Sequence, residues 1–197
     1  MMQRRWGLRF GQPALAAAAL VLSASASAAP PSAAMLANAC AGCHGTQGAS
    51  AGPAMPSLAG QSKDAIVVAM QKFKSGERPS TIMGRLAKGY TDADFAAMGD
   101  FFGSQKIHVT QQNLDAKLVA KGAQMHESNC GRCHIEEGRE GKDDSPAMAS
   151  QWLPYLQMQM AMYVNGSRKM PLKMAEKVQP LSQQDLEALL QFYASVK

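Results

Sequence analysis

The 197-residue sequence predicts an all-α protein made of two tandem domains of one fold. Two observations predict it. The chain repeats itself once, and both copies place apolar residues at helical spacing with no alternating run of strand type. A shift of 90 residues puts Ala33 on Ala123, Met35 on Met125, and Cys40, Cys43 and His44 on Cys130, Cys133 and His134. Gly48, Pro56 and Gln61 fall on Gly138, Pro146 and Gln151, and Met70 and Gly76 on Met160 and Gly166. One inserted residue later, at a shift of 91, Met83 falls on Met174, Asp94 on Asp185, Phe101 on Phe192 and Ser104 on Ser195. Two copies of about 84 residues are a duplicated domain, since a solenoid needs at least three short units.

The elements follow in order. Arg4, Arg5 and Arg9 precede an Ala/Leu/Val run that ends in small residues, the order of a secretory leader. The competing reading is a membrane anchor, but an apolar core of about ten residues is short of the roughly 20 that span a bilayer. Residues 1–29 are therefore expected to be cleaved and the protein to be periplasmic, with no membrane span afterwards. Arg4 and Arg5 with Leu8 and Arg9 faintly resemble a twin-arginine signal, although Gly7 stands where that pattern prefers Phe. Net charge is +5 on the whole chain, and the three leader charges are all positive, which leaves a weakly cationic mature chain. No basic run exists to suggest nucleic acid.

The first domain is expected over 30–104. Ser62 can cap a helix that carries Ile66, Ala69, Met70 and Phe73 on one face and stops at Gly76. Thr91 and Asp94 form a capping-box pattern before Phe95, Met98 and Phe102. Residues 105–113 read as a polar linker. In the second domain, 114–197, Pro154 lies near a helix start, Gly166 ends that helix, and Ser182 with Asp185 repeats the capping box. Domains this small are marginal on their own cores, so a large apolar cofactor in each would help explain their stability.

Both cysteine pairs are followed at once by histidine, as Cys40, Cys43, His44 and Cys130, Cys133, His134. This spacing attaches c-type haem: two thiols add to the porphyrin vinyl groups as thioethers, and the adjacent imidazole reaches the iron. Two disulfides, a redox dithiol or a zinc site compete for four cysteines. None of them needs a histidine after each pair. A six-coordinate iron needs a second axial ligand, and the repeat singles out Met83 and Met174 among 14 methionines. Met170, followed by Pro171, is the alternative that breaks the register. His108 and His126 lack counterparts in the other copy and read as surface or helix histidines. His/Met ligation fills both axial positions, so such a haem passes electrons, and no catalytic residue is expected. Pro56 and Pro146 are candidates to accept the ligand histidine's other N–H, with a loop-stiffening role as the competing reading for Pro146.

The whole mature chain resembles the tandem diheme class I cytochromes c, and most of all the cytochrome subunit of flavocytochrome c sulfide dehydrogenase. The resemblance rests on Phe73, Gly76 and Glu77, on the run 80–90 with Ile82, Met83, Gly84 and Tyr90, on Gln151, Trp152, Pro154 and Tyr155, on Lys173, Met174 and Glu176, and on Phe192 and Tyr193. It implies two haem c groups and a heterodimer with an FAD flavoprotein that oxidises sulfide. Electrons would pass from that flavin to a soluble cytochrome or another periplasmic acceptor. The chain itself has no Gly-x-Gly-x-x-Gly unit and commits its four cysteines, so FAD is expected only on the partner. The alternative is a free diheme carrier between a quinol-oxidising complex and a terminal oxidase. The loop 45–56 carries no charge, whereas 135–145 carries Glu136, Glu137, Glu140, Asp143 and Asp144 against Arg139 and Lys142. An uncharged loop suits a permanent interface and a charged one transient docking, so the first haem is expected to face the flavoprotein.

Overall fold

In the first half, five helices grow from local signals. The computed structural model describes residues 29–140 and 145–197, so the expected leader, but for Ala29, and Lys142, Asp143 and Asp144 lie outside the described residues. Helix α1 (Ala33–Asn38) starts at Ser32, whose hydroxyl accepts from the Met35 N–H at 3.2 Å. One helical turn, α2 (Ala41–His44), holds the first cysteine motif. Helix α3 (Lys63–Ser75) is capped by Ser62 and stops at Gly76, which takes the left-handed φ of 83°. A short α4 (Met83–Leu86) leads through a 3₁₀ turn to α5 (Asp92–Gly103), whose Thr91 and Asp94 form the expected capping box. α1 and α3 pack on α5. Their contact faces bury Leu36, Ile66, Met70, Phe95, Met98 and Phe102, the first core.

The second half repeats this order. Asp115 caps α6 (Ala116–Met125) by accepting from Lys117 N–H and Leu118 N–H. A π-helical turn, His126–Cys130, then runs into the second motif. α7 (Leu153–Val164) has Pro154 in its first turn, where no intrahelical donor is lost. α8 (Leu172–Val178) begins after Pro171, and α9 (Gln183–Ser195) carries the Ser182–Asp185 capping box. α6 crosses α9 at Gly122. A Cβ there would lie 2.1 Å from the Ala188 carbonyl oxygen, so the crossing requires glycine. No strand occurs among the described residues.

Each cysteine turn is followed by a loop whose shape depends on one carbonyl. Gly48 O accepts from Leu58 N–H at 2.8 Å and Ala59 N–H at 3.2 Å; Gly138 O accepts from Met148 N–H at 2.8 Å and Ala149 N–H at 3.0 Å. Both glycines have left-handed φ, 82° and 83°, which a side chain would oppose. The loops then tie to the last helix of their own half, Gly60 N–H to Phe102 O at 3.0 Å and Ser150 N–H to Tyr193 O at 2.9 Å.

The same loops join the halves, and Pro31–Lys197 forms one compact unit. Gln61 donates to Ala147 O at 2.7 Å and accepts from Ala147 N–H at 3.0 Å. Gln151 donates to Ser57 O at 2.8 Å and accepts from Ser57 N–H at 3.0 Å. The two glutamines are repeat partners and so are Ser57 and Ala147, so the contact has local two-fold character. Trp152 Nε1 donates to Ser50 O at 3.0 Å. The expected linker is stitched down: Thr110 N–H donates to Ser150 Oγ and its hydroxyl to Ser150 O, both at 2.8 Å. Its polar composition thus supplies hydrogen bonds to the second half and is more than a soluble connector.

Asp185 also accepts from Lys121 on α6 at 2.6 Å. That bond and the Ser182 bonds hold its carboxyl at about 2, below the ordinary 3.8. Its stabilising contribution is therefore complete above pH 3.8 and lost as pH falls through about 2. Unfolding measured between pH 5 and pH 2 should show a steeper acid decline for the native protein than for Asp185→Asn.

Candidate haem sites

Both motifs form a single helical turn that turns three side chains one way. His44 N–H donates to Cys40 O at 2.9 Å and Cys43 N–H to the same oxygen at 3.2 Å; His134 and Cys133 do the same to Cys130 O at 3.0 and 3.1 Å. Residues three and four apart then share a helix face, so two sulfurs and an imidazole project together. All four cysteines are free thiols. Cys40 and Cys130 pack against the first and second cores, while Cys43 and Cys133 are exposed. Burial pushes the Cys40 and Cys130 thiols above their ordinary range, with Cys43 adding to it at Cys40 and Tyr193 partly offsetting it at Cys130. A redox dithiol needs a lowered pKa, whereas a neutral thioether sulfur suits an apolar setting. Among the described residues no group of three or more His, Cys, Asp or Glu side chains could hold a metal ion.

The histidines carry the next layer. His44 is buried, and Nδ1 lies 2.8 Å from Pro56 O. A carbonyl can only accept, so Nδ1 carries the proton and Nε2 the lone pair that a metal requires. Burial lowers the His44 pKa, partly offset by the Pro56 bond, which keeps the ring neutral. His134 is pushed down to about 4 by burial and then by His126. Its Nδ1 is buried with no hydrogen-bond partner among the described residues, and Pro146 is exposed. The sites therefore differ in how their histidines are held.

Met83 opens α4 and packs, half-buried, against the first core. Met174 lies inside α8 and is half-buried; Met170, also half-buried, stands one residue before the Pro171 cap. α4 and α8 occupy the same place in the element order. His108 sits, half-exposed, in the irregular 105–113 segment.

His126 is the helix histidine that the sequence suggested, but it is buried and not on the surface. It is 7% exposed at the start of the π turn, with Nδ1 2.9 Å from the Tyr193 hydroxyl. Its ring centroid lies 5.1 Å from that of Phe192. Its counterpart at the 90-residue shift is Leu36, and that of Tyr193 at 91 is Phe102. The first half buries this pair as two apolar side chains and the second as a hydrogen-bonded polar pair. The repeat carried the signal, because both members change together. The repeat partners Arg78 and Arg168 were not singled out from sequence. Arg78 lies over Phe73 and Arg168 over Tyr163, and both donate to Gln159 Oε1, at 2.9 and 2.7 Å.

Known proteins match these features. Residues 29–116 match the family described as cytochrome c, and 117–192 the family described as cytochrome C oxidase, cbb3-type, subunit III. Cytochrome c4 of Azotobacter vinelandii is 30% identical over 148 residues, covering 66% of this chain and 69% of that protein. The chain belongs to the diheme cytochromes c. The cytochrome subunit of sulfide dehydrogenase from Chlorobaculum tepidum is 48% identical to this cytochrome over 71 residues, which cover 35% of this chain and 64% of that subunit. The cytochrome thus spans about two thirds of the length of both curated relatives. The crystal structure of reduced cytochrome c4 from Pseudomonas stutzeri shares its fold, with a TM-score of 0.71, 25% identity, and coverage of 81% of this chain and 94% of that one. Cytochrome c domains imply covalent haem c, one for each of the two. The free thiols beside each histidine and the His44 ring, whose Nδ1 bond to Pro56 O leaves the Nε2 lone pair available, fit that group.

Removing the Tyr193 hydroxyl would leave His126 Nδ1 buried without its partner. Tyr193→Phe should cost about 1–3 kcal/mol in denaturant unfolding. His126→Leu with Tyr193→Phe, which restores the apolar solution of the first half, should cost less than the sum of the single changes.

Proposed function

We propose that this diheme cytochrome is the electron-transfer subunit of a sulfide-oxidising complex. It would take electrons from an FAD flavoprotein and deliver them to a soluble cytochrome or another periplasmic acceptor. The observation that carries this reading is the 48% identity to the cytochrome subunit of sulfide dehydrogenase. Cys40 and Cys43 would hold one haem c, and Cys130 and Cys133 the other. His44 with Met83, and His134 with Met174, are the proposed axial ligands. Haem iron, shuttling between ferric and ferrous, supplies one-electron chemistry.

The chain's own residues anchor, orient and close the sites. Thioethers at Cys40 and Cys43, and at Cys130 and Cys133, would hold each haem beside His44 or His134. The Pro56 carbonyl fixes the plane and tautomer of His44. Met83 and Met174, as ligands, would leave sulfide no open iron, so no catalytic residue is assigned to this subunit. Two one-electron centres match a flavin that is reduced by two electrons. The proposed domains, 30–104 and 114–197 with 105–113 between them, would each hold one centre. Export through the leader of residues 1–29 belongs to the same proposal. Among the described residues no helix is long and apolar enough to cross a membrane.

A second reading, a free carrier between a quinol-oxidising complex and a terminal oxidase, draws on the likeness to cytochrome c4 over 94% of that chain's length. Anaerobic sulfide should reduce both haems in the presence of the flavoprotein and neither in its absence. Equal, slow reduction in both cases would favour the free carrier.

For the ligands, Met174→Ala should abolish the Met–iron charge-transfer band of the second haem, and Met170→Ala should leave it in place. The reverse pattern would reassign the ligand to Met170.

A further inference from the structure

We propose that Gln151, a residue of the second half, is a positioning residue for the first haem: it polarises the Pro56–Ser57 peptide whose carbonyl holds His44. The inference rests on reading His44 as an axial ligand.

The geometry is a relay of three groups. His44 Nδ1 donates to Pro56 O at 2.8 Å. The next atom pair of the same peptide, Ser57 N–H, donates to Gln151 Oε1 at 3.0 Å. Gln151 Nε2 donates in turn to Ser57 O at 2.8 Å, which locks the amide so that its oxygen must face Ser57 N–H. Ser57 and Gln151 are 2% and 4% exposed, so water does not compete.

Peptide resonance couples the oxygen and nitrogen of one amide. Donation from its N–H to Gln151 therefore draws charge onto Pro56 O and strengthens that atom as an acceptor. A stronger acceptor pulls harder on the His44 proton and makes the imidazole a better donor to iron. A more electron-rich ligand favours the ferric state. Gln151 thus lowers the potential of the first haem, although it belongs to the other half and is 94 residues from Ser57 in sequence.

Its repeat partner supplies the internal control. Gln61 makes the same two bonds to Ala147, at 2.7 and 3.0 Å, and is 7% exposed. Although Gln61 lies in the loop that holds His44 and its backbone N–H donates to Leu58 O, its side chain bonds to Ala147 and not to the Pro56–Ser57 peptide. Gln61 and Gln151 are thus alike as fasteners of the interface and unlike in reach to the first site.

The test uses the holoprotein alone, with Gln151→Met and Gln61→Met, because methionine keeps the volume of glutamine. Each haem is followed separately by its resolved haem-methyl resonances during equilibrium redox titration. At the native midpoint of the first haem, Gln151→Met should raise its ferrous-to-ferric ratio about two- to fivefold, a rise of about 20–40 mV by the one-electron relation. The His44 ring N–H proton of the ferrous protein should move upfield as its bond weakens. Gln61→Met should leave both readouts of the first haem unchanged. An unchanged ratio and N–H shift in Gln151→Met would overturn the proposal. So would an equal shift in Gln61→Met, since loosened packing alone would then account for it. Gln151→Leu serves in the same measurement should the methionine variant fail to load two haems. In His44→Ala the low-spin spectrum of the first haem must disappear; if it persists, the ligand reading has failed and not the role of Gln151. No flavoprotein enters the experiment, so the outcome is independent of the sulfide partner.

Discussion

The peptide bond between Pro56 and Ser57 is held from both sides, by His44 at its oxygen and by Gln151 at its nitrogen. Much of the molecule is arranged to keep it there. Between α2 and α3 the chain runs through 45–62 with only one 3₁₀ turn to satisfy its amides. An imidazole aimed by such a loop would swing with it. The Gly48 carbonyl gathers Leu58 and Ala59, the Gly60 amide ties the loop to α5, and Gln151 closes it from the second half. Each bond alone contributes about 1 kcal/mol, and burial of the whole set makes any single unpaired member costly.

Duplication supplied the frame, and divergence then gave the halves different chemistry. Gly48 and Gly138 repeat the same double acceptor, and Gln61 and Gln151 repeat the same reciprocal contact. The ligand histidines do not match: His44 has Pro56, while His134 Nδ1 lacks a partner among the described residues. Around His134 the core contains His126 and Tyr193, where the first half has Leu36 and Phe102. A buried polar pair of this kind stands only when each member satisfies the other, which explains why the two positions differ together.

The uncharged loop after His44 also takes on a different meaning. Its lack of charge suggested a permanent interface with another subunit. Ser50 and Ser57 are buried against Trp152 and Gln151 of the same chain. Part of that permanent interface is therefore internal, between the halves, while residues 51 and 53–55 remain exposed beyond it. Charge would be costly in the buried part for the same reason it is absent from cores: no water is left to solvate it.

The sequence by itself determined what is local or repeated. Ser62, Thr91 and Ser182 mark helix starts because a hydroxyl caps amides only two or three residues away. Cys40, Cys43 and His44 share a face because one helical turn dictates it. The repeat exposed the two-domain organisation and marked Met83 and Met174 as candidate ligands. Only the tertiary structure decided which distant groups meet. Gln61 and Gln151 find partners 86 and 94 residues away, and Thr110 fastens a segment that reads as a bare linker. It also put His126 in the core against Tyr193 and left His134 Nδ1 without a bond to Pro146. Amides, hydroxyls and imidazoles are equally at home in water and in a buried bond, so their place in a sequence does not say which; closing the chain on itself does.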